Sequence, residues 1–178
     1  MAPTLSHSFK LIMNIVFVTL AVLFFVLLFV FKGSMNRLVS QKMKEQASEG
    51  IQKSTAQFVD SAFNYLKNGE KFAMTFLEFG TTGCIPCKKM AIVMQEIKEK
   101  YPQRIKVQFY NVLLPESQDM MKCFGIAAIP TQILLDASGK EVFRHTGYYS
   151  SDELEREFQK IKPLKARNQA KEISNKTT

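Results

Sequence analysis

The stretch that leaves this chain the fewest possible folds is Phe72 to Met90, FAMTFLEFGTTGCIPCKKM. Phe76 and Leu77 leave its first half little polar alternation, which predicts a strand buried on both faces. A short Gly/Thr turn follows, and Cys84-Ile85-Pro86-Cys87 then opens a helix. Two cysteines at this spacing on a helix N-terminus form a dithiol with unequal members. Free N–H groups and the positive end of the helix dipole stabilise a thiolate at Cys84, the candidate nucleophile. Cys87, one helical turn deeper, is placed to attack a mixed disulfide on Cys84 and is the candidate resolving thiol.

The segments around this centre read in order. After an N-terminal segment, residues 1–10, comes Leu11 to Phe31, a run of 21 in which only Asn14 and Thr19 are polar. As a helix it spans about 31 Å, the thickness of a hydrocarbon core. It is long for a cleaved signal and no A-x-A site follows, so it predicts a transmembrane anchor. Residues 32–56 are rich in Lys, Glu and Gln and predict a polar helical spacer. Apolar residues at helical spacing from Gln57 to Leu66 predict the first helix of a domain over 57–161. Beyond the central strand and a helix over Lys88–Lys100, Ile105–Leu114 predicts a second strand and Pro115–Phe124 a further helix. Thr131–Leu135 and Glu141–Thr146 predict a hairpin turned by Asp136-Ala137-Ser138-Gly139. Ser150 and Glu153 supply a capping box for a last helix, Leu154–Ile161. Residues 162–178 have no periodicity and predict a disordered basic tail.

The net charge of +8 does not belong to the domain. Residues 54–161 carry 13 Lys/Arg against 13 Asp/Glu, so the excess lies in the flanks. That distribution suits anionic lipid headgroups and excludes a nucleic-acid groove, which needs a basic face on the folded domain. On orientation two arguments oppose each other. Lys32, Arg37, Lys42 and Lys44 follow the apolar run, and the positive-inside bias would keep the domain cytoplasmic. An anchor leading straight into a soluble dithiol domain suits instead an extracytoplasmic redox protein.

Three motifs, FLEFGTTGCIPCKKM, FGIAAIPTQILLD and GYYSSDELEREF, in this order of elements resemble the thioredoxin family. The resemblance covers Gln57 to Ile161 and implies the thioredoxin fold, an α/β domain whose central mixed sheet is flanked by helices. PTQILLDASGKEVFRHTGY further resembles bacterial membrane-anchored members that draw electrons from a membrane-embedded thiol carrier. These likenesses imply a protein-disulfide reductase of the bacterial inner membrane, single-pass, with its domain in the periplasm and disulfide-containing proteins as clients. They imply no cofactor and no metal. They also imply that Pro130 is a cis-proline facing the dithiol, that Glu78 is a buried acid receiving the Cys87 proton, and that Gly83, Ile85, Pro86 and Ile129 line the substrate contact.

The chain departs from that pattern in lacking tryptophan, with Gly83 at its usual position before the first cysteine. Phe109 replaces the lysine that often partners the acid, and Ile92 the proline that kinks the helix. These losses imply a narrower partner set than a general reductant has. The rival functions are a module that captures client thiols without turnover, and a disulfide oxidant or isomerase. A zinc site on Cys84, Cys87, Cys123 and His145 is set aside because no second cysteine or histidine pair accompanies the first. Disulfide exchange needs no histidine, so His145 reads as a surface strand residue. Cys123, beside Met120, Met121 and Phe124, reads as a small core residue, and Met74, Met90 and Met94 as core filling.

Overall fold

The computed structural model describes residues 7–161; the basic tail expected over 162–178 lies outside the described residues. Helix α1 runs His7–Gln46, α2 Glu49–Phe63 and α3 Tyr65–Asn68. Strand β1 covers Met74–Gly80 and leads into α4, Ile85–Lys100, then β2, Ile105–Asn111. A 3-10 turn at Pro115–Ser117 precedes α5, Gln118–Phe124, and β3, Thr131–Asp136, β4, Glu141–Thr146, and α6, Ser151–Lys160, complete the order.

The sheet has the strand order β2-β1-β3-β4, with β1 parallel to β2 and the other pairs antiparallel. Every residue of β1 is buried, Thr75 and Glu78 included, as its lack of polar alternation predicted, because helices cover both faces. On one face Met74, Phe76 and Leu134 meet Met90, Val93 and Ile97 of α4 and Leu154 and Phe158 of α6. On the other, Leu77, Phe79, Ile133 and Leu135 meet Phe63 of α2 and Met120 and Phe124 of α5. Alternation along a strand therefore decides which helical layer each side chain joins.

Several boundaries differ from the sequence reading for local reasons. Ser48 caps α2 by accepting from the Ile51 N–H, so this helix begins at Glu49 rather than near Gln57. It breaks at Asn64, where the Tyr65 N–H donates to the Ala137 carbonyl and ties the chain to the β3-β4 turn. Strand β2 stops at Asn111, whose carbonyl and side chain accept from the Leu114 and Leu113 N–H groups and form a turn. The capping box of α6 is formed as expected, Ser150 and Glu153 each satisfying the other's backbone N–H.

Within α1, Phe9–Leu28 is long and apolar enough to cross a membrane. The helix then continues unbroken through much of the expected spacer, and its last turns reach the domain. Gln52 donates to the Lys44 and Ala47 carbonyls at 3.0 and 2.9 Å, and Lys44 lies 3.9 Å from Glu141 on β4. The α-carbon of Gly125, the left-handed C-cap of α5 with φ of 61°, backs onto the Ser40 carbonyl of α1. A methyl group there would collide with that carbonyl and meet Lys44 Cγ at 2.9 Å. Gly125→Ala should therefore cost about 1–3 kcal/mol, from left-handed strain and a contact between two backbones. Thermal unfolding of the full-length chain in detergent measures the loss. An unchanged midpoint would mean that α1 does not rest on α5.

Candidate active site

Strand β1 carries Glu78 and Gly80 toward the α4 layer, continuing the alternation of Met74 and Phe76. Gly80 lets α4 approach closely, since a Cβ at this position would stand 3.3 Å from Cys87 Sγ and 3.4 Å from the Phe109 ring. Helix α4 starts three residues before Lys88 because Cys84 is its N-cap, and its Sγ accepts from the Cys87 N–H at 3.3 Å. A backbone donor at a helix N-terminus favours sulfur as the thiolate.

Cys84 and Cys87 are joined as a disulfide with their α-carbons 5.2 Å apart. Their surroundings are unequal. Cys84 is half-exposed, with exposed Gly83, Ile85 and Pro86 around it, whereas Cys87 is 5 % exposed. An incoming disulfide can reach Cys84, and Cys87 can reach only what Cys84 holds. The residues reading as nucleophile and resolving thiol therefore differ in access in the sense those roles require.

The Ile129-Pro130 peptide is cis. Thr131 pairs with Phe79, which puts buried Pro130 at the same end of the sheet as Gly80 and hence as Cys87. The Pro130 carbonyl accepts from the Gly147 N–H at 2.8 Å, and half-buried Ile129 precedes it.

Glu78 is 1 % exposed. Burial pushes its carboxyl up to about 8, opposed by a hydrogen bond that Gln132 Nε2 donates to its Oε1 at 3.4 Å. Phe109 stands opposite Glu78 on β2, the place where the resemblance implies a lysine in other members. Gln132 stands opposite it on β3 and is itself fully buried. Sequence reasoning missed Gln132. Its signal was a single amide at the head of the apolar run in TQILLD, uninterpretable until the register set it beside an acid.

Between α4 and β2 a groove of about 580 Å³ opens onto Cys87, lined among others by Thr81, Met94, Lys98, Val107 and Phe109. Two residues fall elsewhere than expected. His145 is a strand residue as expected but half-buried rather than exposed: it pairs with Gln132 in the sheet register and lies against Tyr149 with ring centres 4.3 Å apart and the planes tilted by 35°. Cys123 is half-buried on α5 rather than fully in the core, and burial raises its thiol pKa against the pull of Lys44 on α1.

A family model described as a thioredoxin-like domain matches residues 59–162. A thioredoxin of Alicyclobacillus acidocaldarius is 31 % identical over 102 residues, covering 57 % of this chain and 92 % of that protein. The thiol-disulfide oxidoreductase ResA of Bacillus thuringiensis is 28 % identical over 109 residues, covering 49 % of this chain and 63 % of ResA. Thioredoxin NaTrxh from Nicotiana alata, a solved structure, is 30 % identical with a TM-score of 0.46, over 64 % of this chain and 87 % of that one. The family match takes in β1, the dithiol, Pro130 and both helical layers, and the chain is thus a thiol-disulfide oxidoreductase belonging to the thioredoxin family.

Proposed function

We propose that this chain is a membrane-tethered protein-disulfide reductase, with residues 11–31 as its anchor and residues 57–161 as its catalytic domain. The observation that carries the reading is the unequal pair: a reachable Cys84 capping α4, and a buried Cys87 on the face that also holds Glu78. The Cys84 thiolate attacks one sulfur of a client disulfide, forming a mixed disulfide and expelling the first client thiolate. Cys87 gives its proton to Glu78 once that raised carboxyl has ionised, and attacks Cys84 Sγ. The second client thiolate leaves, and the chain is left with the Cys84-Cys87 disulfide while the client has gained two electrons.

A membrane-embedded dithiol carrier then returns two electrons and restores the thiols. Gly83, Ile85, Pro86 and Ile129 form the rim on which the client rests, with Pro130 beneath it. We place the anchor in the bacterial inner membrane and the domain on its periplasmic side. The basic residues after the apolar run support the opposite orientation, and cysteine labelling with a membrane-impermeant reagent in intact cells separates the two.

Equilibration of the full-length chain with glutathione or dithiothreitol buffers tests the direction of electron flow. A potential on the order of −270 mV is expected for a reductant, whereas about −120 mV would identify an oxidant and reverse the steps above.

A further inference from the structure

We propose that Gln132 is a positioning residue that holds the Glu78 carboxyl in both of its protonation states and so sets the pH at which Cys87 is resolved to a thiolate. This inference rests on the reading of Glu78 as the proton acceptor. Its basis is a row of side chains running across all four strands at one level: Phe109, Glu78, Gln132 and His145. The row lies on the face covered by α4 and α6, one step of alternation from the core residues Phe76 and Leu134. Glu78 and Gln132 are its two fully buried members, and each has one orphan oxygen, Glu78 Oε2 and Gln132 Oε1.

Those orphans belong to a pair that must serve two states. A carboxylate needs a donor, and Gln132 Nε2 supplies one at 3.4 Å. A carboxylic acid needs an acceptor for its own O–H. A half-turn of the Gln132 amide exchanges Nε2 for Oε1 at the same place, and the unfilled oxygen becomes that acceptor. A lysine in this position would serve only the anion and hold the acid ionised, and a leucine would serve neither state. The carboxamide alone lets Glu78 take a proton and return it without leaving a second buried group unpaired at each exchange.

The groups around the row define what the test must separate. Helix α4 presents Cys87 and the thioether of Met90, β2 presents the Phe109 ring, and β4 presents His145 in ring contact with Tyr149. At the start of α6, Glu153 lies within the field of His145. His145, next to Gln132 in the register, is therefore the neighbour whose influence the test must separate from that of Gln132 itself.

The experiment follows release of glutathione from a Cys84 mixed disulfide in the full-length chain, in detergent, from about pH 5 to pH 10. Gln132→Leu should move the midpoint of the resolution rate up by about one pH unit and slow resolution at neutral pH by about tenfold. Gln132→Glu, a second variant that keeps a polar group in the site, should move it in the same direction by opposing two like charges. The shift should persist with His145→Gln and vanish in a Glu78→Gln background. Unchanged midpoints in both Gln132 variants, or a shift that survives Glu78→Gln, would overturn the positioning role and leave Glu78 as it stands. A wild-type profile in Glu78→Gln itself would instead remove Glu78 as proton acceptor, and this inference with it.

Discussion

Full-length chains carrying Cys87→Ser are expected to accumulate as mixed disulfides through Cys84, with multiple turnover reduced by about a thousandfold or more. The expectation follows from access. Cys84 remains half-exposed on the N-terminus of α4, so the first exchange proceeds, but the only thiol placed behind it is gone. Cys123 cannot substitute, because it lies on α5, which packs on the opposite face of the sheet from α4. Non-reducing electrophoresis of thiol-trapped cell extracts should show adducts that disappear on reduction, and Cys84→Ser should show none. A module that captures thiols without turnover would yield the same adducts from the native chain as from Cys87→Ser. Equal yields from the two would therefore discard the reductase reading and keep the capture one.

Glu78→Gln is expected to stabilise the fold, and more so as pH rises. The sign follows from the proton affinities. The Glu78 carboxyl is raised from an ordinary 4.5 to about 8 in the fold. Between those values the folded chain binds a proton that the unfolded chain releases, so unfolding becomes easier as pH rises. The contribution of this group is fully present below about pH 4.5 and is lost as pH climbs through about 8, a total of at most about 5 kcal/mol. Glutamine has no proton to lose. Thermal unfolding near pH 4.5 and at a mildly alkaline pH should show little difference between variant and native chain at the first and a clear gain at the second. A gain of equal size at both would mean that Glu78 is not held protonated by burial. The same substitution should slow the resolving step, so stability and turnover move in opposite directions.

Much of this architecture was legible in the residues because periodicity and chain punctuation are local. The buried β1, the Cys84-Ile85-Pro86-Cys87 helix start, the β3-β4 hairpin and the Ser150/Glu153 box each depend on a few adjacent side chains, and each stands where it was expected. The cis peptide before Pro130 followed from resemblance, since Ile-Pro alone does not specify it. What the residues concealed was decided by partners far along the chain. Gln132 acquires meaning only from a register that spans 54 positions to Glu78, and His145 only from the helical layer that covers its face. The break at Asn64 depends on the Ala137 carbonyl, and the helical end of the polar segment on its contact with Gly125. Locally, residues 32–56 satisfy every criterion for a free spacer, and nothing within them reports that α5 is there to receive them.

That contact bears on how far the dithiol can travel. A flexible tether would let the domain sweep a hemisphere whose radius grows with linker length. A continuous helix clasped at its far end behaves as a bracket. With Phe9–Leu28 in a bilayer, the twelve residues from Leu28 to Ser40 place the attachment about 18 Å along the helix axis from the apolar stretch. The dithiol would then patrol a thin shell parallel to the surface, searching in two dimensions by lateral diffusion. Clients whose disulfides pass through that shell would be served, and those held higher or lower would escape however well they fitted the rim around Cys84.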